Sequence, residues 1–80
     1  MFMIEDWETG EWVPNLDNQL YHTLDELIAF TLAKLDQAMN DVDDQHDKDI
    51  YAEQAKAVDN RDMDVIKEVL EQFSYTLEVA

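Results

Sequence analysis

Apolar and polar residues change rhythm along this chain, and each rhythm predicts a different element. Leu24, Leu27, Ile28, Leu32, Leu35 and Met39 recur every three or four residues, the spacing of one helix face. Ala29, Phe30, Ala33 and Ala38 widen that stripe, while only Asp25, Glu26, Lys34 and Asp36 carry charge. The pattern predicts a central core helix from Leu24 to about Met39, covered on more than one side. Thr23-Leu24-Asp25-Glu26 has the form of a capping box, in which a hydroxyl and a carboxylate three residues apart satisfy free amides, so the helix starts there. A second helical segment is expected from Ile50 to Val58, with Tyr51, Ala55 and Val58 on one side and Asp59-Asn60 closing it. A third begins near Asp62, its stripe being Ile66, Val69, Leu70 and Phe73 and its wet side Asp64, Lys67, Glu68 and Glu71.

The ends of the chain follow a period of two. Phe2-Met3-Ile4 and Trp12-Val13 flank Glu8-Thr9-Gly10-Glu11, which reads as a β-hairpin whose turn takes its positive φ from the only glycine. With Thr9-Gly10 as a two-residue loop, Trp7 and Trp12 fall opposite each other as a cross-strand aromatic pair that packs the hairpin onto the helices. Pro14 and Asn15 end the second strand. At the C-terminus Phe73, Tyr75, Leu77 and Val79 alternate with polar residues as a strand would, yet Leu77 also continues the helical stripe. A helix ending near Tyr75 is the reading adopted, with a short strand as its alternative. Residues 40–49 hold five aspartates and one apolar side chain and are expected as a solvated linker or frayed helix end. The fold class that results is α+β, mostly helical: an N-terminal hairpin packed on a bundle of about three helices, in a single small acidic domain spanning 1–80.

Composition sharpens this picture. The 80 residues are 46% hydrophobic with eight aromatic residues spread along the chain, enough for one modest core and too apolar for a disordered acidic tail. There is no cysteine, which excludes disulfides, thiol chemistry and thiolate zinc sites. No apolar run approaches the length of a membrane span, and the expected setting is cytoplasmic. Twenty acids against five bases give a formal net charge of −15, whereas solubility asks for a magnitude of roughly 2 to 8 in a small domain. Such a surface repels nucleic acid and anionic lipid, so neither is an expected partner.

Candidate chemistry is sparse. Asp43, Gln45, Asp47 and Asp49 alternate like calcium-loop ligands, but Lys48 stands where the sharp turn needs glycine and Gln54 where the bidentate glutamate belongs. His22 and His46 lack a second histidine at zinc-binding spacing and read as surface or capping residues. Ser74, the only serine, has no neighbouring histidine, and one glycine makes no phosphate loop. Acyl carrier proteins are also acidic, helical and of this size, but the Asp-Ser-Leu motif of their prosthetic arm is missing. No catalytic residue, metal site or cofactor is therefore expected.

The acids themselves remain. Asp41, Asp43, Asp44, Asp47 and Asp49, then Asp59, Asp62 and Asp64, form two dense groups, and duplex DNA likewise presents one charge per roughly 1.7 Å of axis. Trp7 and Trp12, set among carboxylates, are the candidate aromatic anchors. In charge and size the chain resembles the small DNA-mimic inhibitors with which phages block restriction, CRISPR or other nucleic-acid-handling proteins. That resemblance implies a non-enzymatic inhibitor whose partner is a basic nucleic-acid-binding protein. The alternative expectation is a small interaction or regulatory module, a homodimer for example, that uses apolar surface and treats charge as a solubility device.

Overall fold

The central strand carries the architecture because both halves of the chain pair with it. In the computed structural model, which describes residues 1–79, β1 (Phe2–Asp6) lies between β2 (Trp12–Val13) and β3 (Tyr75–Val79) in an antiparallel sheet of order β2-β1-β3. Three helices, α1 (Leu24–Asp41), α2 (Gln45–Asp59) and α3 (Met63–Gln72), fill the sequence between the hairpin and the last strand. With 54% helix and 16% strand, the α+β, mostly helical class holds.

Alternation along the strands sends one set of side chains toward the helices. Phe2, Ile4, Val13, Tyr75 and Leu77 pack against the core, with Ile4 fully buried in the row Val13–Ile4–Leu77. The helices contribute Leu27, Ile28 and Leu35 from α1, Val58 from α2, and Ile66, Val69 and Leu70 from α3. Thr31 is buried among them and donates its hydroxyl to the Leu27 carbonyl at 2.8 Å, which settles the polar group inside the helix.

Each helix starts where an oxygen side chain meets its free amides. Thr23 and Glu26 form the expected capping box, Asp44 accepts from the His46 amide at 2.9 Å, and Asp62 accepts from the Val65 amide at 3.3 Å. The Asp44 cap corrects the expected linker. α1 continues to Asp41 and α2 begins at Gln45 rather than Ile50, so only Val42, Asp43 and Asp44 stand outside the helices. Asp47 in the first turn of α2 faces the positive end of the helix dipole, which makes an aspartate-rich stretch a good helix start despite its lack of apolar residues.

Three further expectations are overturned. The β1–β2 turn is five residues long, not two: Asp6 accepts from the Glu8 amide at 3.0 Å and Thr9 from the Glu11 amide at 3.2 Å, side-chain turns that lengthen the loop around Gly10 at φ 74°. The register therefore pairs Trp12 with Glu5, and Trp7 does not face Trp12. Trp12 lies on the sheet face turned away from the helices, and Trp7 is 75% exposed, so neither packs the hairpin onto the bundle. At the other end, α3 stops at Gln72 instead of reaching Tyr75. Ser74 takes φ 67° and reverses the chain into β3, which pairs with β1 over five residues. A two-stranded hairpin alone is marginal, and the free edge of β1 supplies the partner that decides the tail as strand. Finally, His22 is buried rather than a surface residue. It bridges to Phe2 beside β2, and its Nε2 lies 2.8 Å from the Val13 carbonyl.

These facings set the cost of substitution. Ile4→Ala is expected to remove about 2–5 kcal/mol of stability, a large share of the roughly 4–12 kcal/mol available to a chain of this length. Trp12→Ala, on the outer face, is expected to cost markedly less. Urea denaturation of both variants checks this; equal losses would contradict the assigned sheet facing.

Candidate functional site

The helical connections gather the acidic residues at two corners. Asp41, Asp43, Asp44, Asp47 and Asp49 lie at or near the turn from α1 to α2, and Asp59, Asp62 and Asp64 at the turn from α2 to α3. All eight are exposed. The corners stand at opposite ends of α2, because Asp47 and Asp59 are twelve residues apart, about 18 Å along a helix axis. The expected acidic residues are thus brought together as two groups.

The groups differ in how their members are used. Asp44 and Asp62 are helix caps, and Asp49 accepts from Gln45 Nε2 at 2.9 Å. Asp41, Asp43, Asp47, Asp59 and Asp64 have no side-chain hydrogen bond among the described residues. The one ion pair among the described residues joins Arg61 to Asp25 at 3.2 Å, both well exposed, a geometry worth little in stability. It ties the α2–α3 corner to the first turn of α1. Lys34 makes no such pair; its ammonium sits 5.3 Å from both the Phe30 and Tyr75 ring centres, which pack edge to face at 5.2 Å. Most of the negative charge is therefore unopposed at the surface.

Trp7 and Trp12 fall in neither corner. Trp7 projects from the β1–β2 turn with its amide donating to the Ser74 carbonyl at 2.9 Å. Phe73, the residue before Ser74, has its ring centre 6.3 Å from that of Tyr51 in α2. Trp12 stands on the outer sheet face beside Glu5. No group of three or more metal-ligating side chains is arranged as a metal site among the described residues, since Asp47 and Asp49 belong to a helix rather than to a loop. No helix among these residues is long and apolar enough to cross a membrane.

A feature not expected from the sequence lies along the N-terminal half of α1. The segment between Val13 and His22 loops out of the sheet edge and forms, with α1, an apolar groove of about 290 Å³ whose walls include Pro14, Leu16, His22, Ala29, Phe30 and Ala33. Asn15 builds the loop: its Oδ1 accepts from the Asp17 and Gln19 amides, both at 2.9 Å, and its Nδ2 donates to the Tyr21 carbonyl at 3.0 Å. The only signal in the sequence was Leu16, Leu20 and Tyr21 in an otherwise polar stretch, and all three are exposed. Glu26 also lines the groove. Its carboxyl is held below the ordinary 4.5, first by the hydrogen bond from the Thr23 amide, with partial desolvation opposing and the Thr23 hydroxyl and His22 adding to the lowering.

No protein-family model, curated protein or solved structure matches this chain.

Two outcomes follow from the charges. Because the Glu26 carboxyl is lowered in the folded state, its contribution is fully present above the unfolded value near 4.5 and is lost as pH falls through the lower folded value. The stability difference between the native chain and Glu26→Gln, followed by chemical denaturation, is therefore expected to shrink below that pH; a constant difference would show that the cap does not depend on charge. Self-repulsion predicts that the melting temperature rises between about 0.01 M and 1 M NaCl, as the Debye length falls from about 30 Å to about 3 Å. The expected gain is about 4–8 °C per kcal/mol of repulsion screened.

Proposed function

We propose that this chain is a non-enzymatic acidic binding protein that occupies the basic nucleic-acid-binding surface of another protein and excludes nucleic acid from it. The observation that carries this reading is the placement of Asp41 and Asp59. Each is the last residue of its helix, where the dipole disfavours an anion by about 0.3–1 kcal/mol, and neither makes a side-chain hydrogen bond among the described residues. They do not serve the fold, and with Asp43, Asp47 and Asp64 they offer carboxylates on rigid elements to a cationic cleft. Lysine and arginine side chains that hold phosphates would take these oxygens instead, and long-range attraction would speed the encounter. An inhibitor of a restriction, CRISPR or other nucleic-acid-handling protein fits this mechanism, which places its action in the cytoplasm.

A second reading, an interaction module that binds through apolar surface, is favoured by the exposure of Trp7. Salt separates the two, because apolar docking is nearly indifferent to it and carboxylate mimicry is not.

The test must avoid the caps. Lysine at Asp44 or Asp62 would remove a helix start along with a charge, whereas Asp41→Lys, Asp43→Lys and Asp59→Lys together span both corners and improve two helix ends. This triple variant is expected to melt higher than the native chain while binding at least about tenfold more weakly to its partner. The partner is to be captured with tagged protein from nuclease-treated lysate of the native host, then challenged with salt and with excess duplex DNA. A partner that the triple variant retains unchanged, or that DNA fails to displace, would refute the mimic.

A further inference from the structure

Glu26 on the wall of the apolar groove stands next in sequence to Asp25, whose ion pair with Arg61 leads to the α2–α3 corner, and this arrangement names the kind of segment that fits the groove. We propose that the groove between loop 14–22 and the Glu26–Ala33 flank of α1 receives a leucine- or phenylalanine-like side chain carried on a lysine- or arginine-rich segment of the partner. The inference rests on the reading of the chain as a binder of basic protein surfaces.

Size sets the first limit. A cavity of about 290 Å³ is at the lower end of the roughly 300–1,000 Å³ of small-molecule sites, which suits an anchoring side chain rather than a whole cofactor. On the helix side, Glu26, Ala29, Phe30 and Ala33 follow the i, i+3, i+4, i+7 spacing of one flank, about 10 Å of helix. Ala29 and Ala33 are small and exposed, so an incoming backbone can come close. The opposite wall is already organised. Asn15 fixes the loop with three side-chain hydrogen bonds, and Leu16 stands fully exposed at the rim. Little ordering entropy remains to oppose binding there.

Charge decides the occupant. Glu26 is the only acidic residue of the groove wall, and Asp25, in the same helical turn, is joined through Arg61 to the corner bearing Asp59, Asp62 and Asp64. A cationic segment with an apolar anchor satisfies both surfaces at once. A second copy of this chain does not. It brings another −15 charge, and two-fold pairing through the groove sets each Glu26 close to its own equivalent.

The test is an ¹⁵N-resolved NMR titration of the full chain with three short synthetic peptides: lysine–glycine, the same peptide with one central phenylalanine, and a serine–glycine peptide carrying that phenylalanine. The basic phenylalanine peptide is expected to shift the amides of Leu16, Ala29, Phe30 and Ala33 and to bind about tenfold to a hundredfold tighter than its glycine counterpart. Ala33→Leu, which fills the groove at an exposed position with a good helix former, is expected to abolish that gain and keep the spectrum of a folded chain. If both basic peptides shift only the aspartate corners and phenylalanine adds nothing, the groove inference fails while the acidic reading stands. If neither basic peptide binds and the uncharged one does, both fail. Concentration-dependent shifts at the same residues without peptide would assign the groove to a second copy and overturn the inference.

Discussion

A core of eight buried apolar side chains has to hold together a surface that repels itself, and most local choices in this chain answer to that conflict. Conformational entropy already cancels most of what burial contributes in so small a domain, so uncompensated repulsion comes directly off a narrow margin. One remedy is position. Asp44 and Asp62 cap helices, Asp25, Asp47 and Asp64 lie in first turns, and Asp6 shapes a turn. In each place a carboxylate meets backbone amides or the positive end of a helix dipole, and its charge helps the fold. Where charge and local structure agree, an acidic composition is compatible with stable helices. Asp41 and Asp59 break that agreement, because each ends a helix, where its charge opposes the dipole.

The helices were legible in the sequence because their information is local. The capping box at Thr23 and the stripe of Ile66, Val69 and Leu70 need no knowledge of the rest of the chain. What the sequence hid was decided by partners far away. Tyr75 to Val79 satisfies both a helical and an alternating pattern, and only the open edge of β1, seventy residues earlier, selects the strand. His22 looks like any loop histidine until the sheet edge brings Phe2 and the Val13 carbonyl to it. The hairpin register differs for a local reason: the Asp6 and Thr9 side chains accept from the Glu8 and Glu11 amides and extend the loop beyond Thr9-Gly10, which moves both tryptophans. Asp44 caps α2 from within a run of five aspartates, where composition alone singles out none of them. The two acidic groups were legible as sequence clusters, but their separation along α2 and the groove along α1 depend on tertiary structure.

Topology also explains why the groove exists. β2 is only two residues long, and the chain leaves the sheet at Pro14 before rejoining its edge at His22. A continuous strand would have run past α1 and left nothing to wall a cavity. The detour is closed at its base by His22 and stiffened by Asn15, so its apolar residues are presented rather than collapsed onto the helix. Leu16 then faces solvent at the rim, while Phe30 on the helix side packs toward Tyr75 and Lys34.

In the proposed binding mode, charge and groove serve different parts of recognition. A polyanionic surface attracts every basic protein it meets, and its pull is strongest at long range and weakest in discrimination. Apolar contact acts only over van der Waals distances and depends on shape, so it cannot steer, but it rejects partners that lack a side chain to insert. Carboxylates at both ends of α2 leave room for a cationic surface to settle in more than one orientation. A groove that takes an apolar anchor, as proposed, removes that degeneracy, because it lies along the N-terminal half of α1 and not at the α1–α2 turn. Under that proposal, specificity depends less on how many carboxylates the chain carries than on one largely apolar groove where a partner's side chain must fit.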